Sequence, residues 1–183
     1  MLLVAGISNA QSPDQASWRN VFSDPYLARM IDTALVRNTD IRVANLNVVQ
    51  AEASLRASRM AFLPSLELER GVRLQVIAAV ASHYYTLVML DEQLDITQQS
   101  IETAKKTVDV MEAMKEVGMQ NEAAVSQART SLFNISASEK TLLQQIYATE
   151  NALSVLLGEQ QSEIPRAKSE DTKVNASTLY PYD

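Results

Sequence analysis

Residues 115–128 read KEVGMQNEAAVSQA. One long amphipathic segment runs into this stretch and another runs out of it. Gly118 stands between them, one of four glycines in 183 residues. The fold depends on whether Gly118 interrupts a single rod or marks the point where the chain turns back.

Upstream, Val80, Leu87, Leu94, Ile101 and Val108 recur at intervals of seven. Val76, Leu90, Ala104 and Met111 fill the companion positions, with His83 and Thr97 as polar exceptions. A sustained heptad of this kind packs against another helix. It predicts a helix over 73–117, roughly 65–70 Å long at 1.5 Å per residue. Downstream, Val125, Ala128, Leu132, Ile135, Leu142, Ile146, Leu153 and Leu156 form a second set, with Glu139 and Thr149 as its polar members. Asn121 is an N-cap candidate and Gly158 a stop, so the second rod covers 122–157, roughly 50–55 Å. Two matching seams joined by a short glycine link predict an antiparallel hairpin. Gly118 supplies the left-handed residue that ends the first helix.

Working outward to the N-terminus, FSDPYLARMIDTALVRN carries Asp24 as a cap and Pro25 at the first helical position. This predicts a short helix ending near Asn38. A second helix starts at Thr39-Asp40 and carries Ile41, Ala44, Val48, Ala51, Leu55 and Phe62 on one face, with Pro64 as its stop. Between Leu66 and Val76 the alternation around Arg70-Gly71 is a short strand-hairpin pattern, and from Arg73 onward a helical reading fits equally well. Residues 160–183, with Pro165 and Pro181, read as a polar linker or tail.

Composition supports a helical rod. Hydrophobic residues make up 46% and aromatics only 5%, which suits narrow helix seams. The net charge of −6 gives no electrostatic footing for nucleic acid. No cysteine is present, which excludes disulfides and thiolate chemistry. No apolar run reaches the ~18 residues of a spanning helix. Leu2–Ile7 followed by Ser8-Asn9-Ala10 fits the end of a secretory signal without its basic start, and it also fits a disordered terminus.

Catalytic chemistry has no constellation to stand on. His83 is the sole histidine and sits among core-like neighbours. Asp91, Glu92 and Asp95 read as a solvated helix face without calcium-loop spacing. There is no phosphate loop and no metal-ligand spacing. No cofactor is expected, and the chain is not read as an enzyme. The sequon at Asn134 falls inside a helix and is discounted. Met111, Met114 and Met119 cluster near the hairpin tip, as seam packing or as an adaptable docking surface.

Five blocks in order resemble the outer membrane factor family, the TolC-like exit ducts of bacterial tripartite multidrug efflux pumps. They are SWRNVFSDPYLARMIDTAL (17–35), NTDIRVANLNVVQAEASLRASRMAFLPSL (38–66), VASHYYTLVMLDEQLDI (80–96), VGMQNEAAVSQA (117–128) and ENALSVLLGEQQSEIPR (150–166). The resemblance implies an α-helical tube below an outer-membrane β-barrel, built as a homotrimer. It implies that the hairpin tips meet a periplasmic adaptor protein, which connects to an inner-membrane pump. On this chain the adaptor-facing residues would be Val117, Gly118, Met119, Gln120 and Asn121. The family's two barrel strands are missing after FLPSL, with a junction near 66–72, and the second half of the family's repeat is absent, as is a lipidated N-terminal cysteine.

The expected protein is therefore all-α. It has a long antiparallel coiled-coil hairpin and two shorter N-terminal helices, with a helical domain over 17–159 between an N-terminal segment (1–16) and a tail (160–183). It has no membrane span of its own and is periplasmic if exported. A stand-alone coiled-coil scaffold is the alternative.

Overall fold

The computed structural model describes residues 18–54, 63–160 and 164–168. Four helices carry the fold: α1 (Pro25–Arg37), α2 (Thr39–Ser54), α3 (Leu63–Glu116) and α4 (Glu122–Leu157). No strand occurs among the described residues, as the all-α expectation requires. The signal-like segment and the positions Leu55 and Phe62 lie outside the described residues.

α1 begins as its sequence dictates. The Asp24 side chain accepts from the backbone N–H groups of Tyr26 and Leu27, with Pro25 in the first turn. Its apolar stripe of Leu27, Met30, Ile31 and Ala34 is buried. Asn38 closes α1 and opens α2. Its N–H donates to Ala34 O at 2.8 Å, and its Oδ1 accepts from the N–H groups of Asp40 (2.9 Å) and Ile41 (3.3 Å). Its Nδ2 also donates to Leu156 O at 2.9 Å. The start expected at Thr39-Asp40 is thus capped one residue earlier. The capping side chain also satisfies a carbonyl at the end of α4.

α3 corrects two expectations. The region 66–76 is continuous helix, not a strand hairpin, and the long helix starts at Leu63, not Arg73. Pro64 therefore sits in the first turn, where a missing N–H costs no helical bond, and acts as a starter of α3. At 54 residues α3 is roughly 80 Å long. α4, with 36 residues, is roughly 54 Å long and lies antiparallel to it.

The core is widest at the root of the hairpin. There Leu27 and Ile31 of α1, Ile41 of α2, Val80, Tyr84 and Leu87 of α3, and Leu153 of α4 meet in one cluster. A fully buried aliphatic side chain contributes about 1.5–3 kcal/mol. Toward the far end the core thins to a two-helix seam of Ile101, Val108, Val125 and Leu142. Gln98 faces the polar seam member Glu139 there (3.4 Å).

Residues 164–168 depart from the linker expectation. Ile164 is buried in the root cluster, so this short strap lies against the bundle. The remaining parts of the expected tail, 161–163 and 169–183, lie outside the described residues.

Candidate functional site: the hairpin tip

The turn at residues 117–121 joins α3 to α4. Gly118 has φ +75°. Its N–H donates to Lys115 O (3.0 Å), and the Met119 N–H donates to Met114 O (2.8 Å). This pair of bonds is the Schellman closure, which satisfies carbonyls that the helix end would orphan. The Gln120 N–H also reaches Met114 O (3.2 Å). Asn121 then caps α4, accepting from the Ala124 N–H at 3.0 Å. All five expected tip residues thus fall in one exposed turn, and Val117 and Met119 are each 70% exposed.

Ion pairs tie the two helices just behind the turn. Lys115 bonds Glu122, and Arg129 donates to Glu112 through Nη2 (2.6 Å) and Nε (3.1 Å). The Lys115 hydrogen bond holds the Glu122 carboxyl below its ordinary value, and the bond to Glu112 raises the Arg129 guanidinium. The three methionines divide: Met111 and Met114 are half-buried along the seam, while Met119 projects into solvent. The apolar pair at the very end is therefore Val117 and Met119, framed by the charges of Lys115, Glu116 and Glu122.

Two features escaped the sequence reading. One is a polar clasp at the root. Arg166 bonds both Asp91 and Glu150, and the Tyr84 hydroxyl joins Asp24 to the Ala167 N–H. Asp91 is therefore an ion-pair member, unlike Glu92 and Asp95, which are exposed as expected. Burial holds the Tyr84 phenol above its ordinary value. The other is a second stripe along α3 that runs on into the turn. Met89, Ile96, Thr103 and Val110 of α3 and Val117 of the turn repeat every seventh position and are all exposed. The spacing was visible from the start, but the strong inner heptad masked it.

Residues 67–159 match the family model described as "Outer membrane efflux protein". The matched span contains nearly all of α3, the tip and all of α4. A probable efflux pump outer membrane protein of Pseudomonas putida, TtgC, is 23% identical over 214 residues, covering 82% of this chain and 44% of that protein. The cation efflux system protein CusC of Escherichia coli (strain K12) is 22% identical over 226 residues, covering 94% of this chain and 48% of that protein. A solved structure of CusC superposes with a TM-score of 0.80 at 21% identity, covering 98% of this chain and 53% of that one. The chain spans about half the length of the relatives it matches. The family match runs from the lower turns of α3 through the tip to the end of α4, and on that match the chain belongs to the outer membrane efflux protein family.

Proposed function

We propose that this chain is the periplasmic helical portion of an outer membrane efflux duct, and that residues 117–121 dock a periplasmic adaptor protein. The adaptor would link the duct to an inner-membrane pump. In the intact parent, held in the outer membrane as a homotrimer, conduction is passive and driven by that pump. The carrying observation is the tip itself. Val117 and Met119 stand exposed at the far end of a rod whose seam teeth there, Val108 and Val125, pack inward. A turn whose only task was reversal would not need two bare apolar side chains.

Two further observations support the reading. The first is the exposed flank of α3, which carries no charge at Met89, Ile96, Thr103 and Val110 and leads to Val117 in the turn. The Thr103 hydroxyl donates to the carbonyl four residues back, so its polarity is satisfied within the helix. α4 has a similar exposed flank at Thr130, Ala137, Thr141, Ala148 and Val155. Such flanks suit side-by-side packing of helices around a tube. The second is length. The match to TtgC spans 214 residues, whereas 82% of this chain is about 150, so the relative holds some sixty further residues inside the match. This agrees with barrel strands missing near 66–72, where α3 runs on as unbroken helix.

The test is Val117→Glu with Met119→Glu, two exposed sites that leave the seam untouched. Binding to the purified adaptor of the cognate pump should fall at least tenfold, with helical circular dichroism unchanged. Unaltered binding would favour the stand-alone scaffold.

A further inference from the structure

We propose that residues 164–168 form a latch, locked by Arg166 and coupled through Tyr84 to the start of α1. The observations lie at the opposite end of the molecule from the tip, and beyond residue 159, where the family match stops.

Arg166 Nη2 donates to Asp91 Oδ1 at 2.8 Å and Nε donates to Asp91 Oδ2, a two-pronged contact with α3. Nη1 donates to Glu150 Oε1 of α4 at 2.6 Å and to Ile164 O at 3.1 Å. One guanidinium therefore holds a carboxylate from each arm of the hairpin. Glu150 is 6% exposed. Without the strap's cation, two like charges would remain next to each other at the root, one of them buried, and burying an uncompensated charge is strongly unfavourable. The strap is thus seated with its charge neutralised or lifted with the carboxylates hydrated, and intermediate positions are penalised.

Next along the strap, the Ala167 N–H donates to the Tyr84 hydroxyl at 3.1 Å, and that hydroxyl donates to Asp24 Oδ2. The other oxygen of the same carboxylate caps α1 at the N–H groups of Tyr26 and Leu27. An unbroken path of hydrogen bonds runs from the strap through α3 to the first turn of α1. Lifting the strap removes a donor from Tyr84, frees that hydroxyl to turn, and loosens the cap. The strap and the start of α1 open together, while the far hairpin, which shares no bond with the path, stays closed.

Hydrogen exchange of the full chain tests this. Arg166→Gln is expected to raise exchange at least tenfold at 164–168 and several-fold at Tyr26 and Leu27, with residues 105–135 unchanged. Glu150→Gln, which keeps the shape and removes one charge, should give a smaller rise at the same amides. Tyr84→Phe cuts the path but spares the ion cluster. In that background Arg166→Gln should still free the strap and produce no further change at Tyr26 and Leu27. An unchanged strap, an indifferent α1 cap, or an even rise along the whole hairpin would each overturn the latch.

Discussion

Gly118 and Gly158 close α3 and α4 with the same pair of backbone bonds, at φ values of +75° and +65°. A methyl group would meet different surroundings at each. Nothing lies within 4 Å of a Cβ built on Gly118, whereas at Gly158 that atom would come 2.9 Å from the Arg37 carbonyl oxygen. Gly118→Ala should therefore cost only the left-handed strain of about 1–2 kcal/mol. Gly158→Ala adds a clash against backbone at the junction of α1 and α4, and should cost about 1–3 kcal/mol more, in the range of overpacked cores. Urea melts of the two variants check the order. Equal midpoints would show that the junction yields freely. Sequence alone marks both glycines as stops, because a left-handed terminus has a residue signature. It does not reveal that one abuts a carbonyl 121 positions earlier, since that closeness comes from how α1 and α4 pack.

At the scale of the element, the hairpin is what the sequence describes best. Aliphatic teeth at heptad spacing fix the seam, and Asp24, Asn121, Gly118 and Gly158 fix most of the ends through local bonds that depend on neighbouring residues. Pro64 carries two opposite signals, because proline both disfavours helix before it and suits the first turn after it. Sequence places Asp91 on a solvated face and Arg166 in a tail, because a pairing that spans 75 positions leaves no local signature. The tie at the tip has its own pH signature. The Glu122 carboxyl is lowered in the folded chain by Lys115, so its contribution is present above the ordinary carboxyl value of 4.5 and is lost as pH falls through the lowered folded value. Below that window, exchange at the turn should rise while the α3–α4 seam stays protected. Salt should weaken the same tie at neutral pH, because both partners are exposed. A turn indifferent to both acid and salt would show that the Schellman bonds alone hold it.

For the whole molecule, the proposed side-by-side association rests on the uncharged flanks. Ile96 is 58% exposed and is not one of the buried teeth of the seam within its own chain. Ile96→Lys should leave the melting temperature within a degree or two and shift the sedimenting species toward monomer, because a lysine facing an apolar neighbour must lose its hydration. Unchanged sedimentation would remove that flank from the interface. Among the described residues no helix is long and apolar enough to cross a membrane.

The thinning of the core from root to tip has a mechanical meaning. At the root, α1, α2 and the strap brace the hairpin. From about Asp95 onward, among the described residues, only two helices remain, which leaves a beam roughly 33 Å long with one end clamped. The deflection of a clamped beam under an end load grows with the cube of its free length. A sideways push at the turn is therefore taken up as bending along the narrow shaft, while the braced base carries the greatest bending moment and yields least. Such a molecule is compliant where it would be touched and stiff where it is anchored.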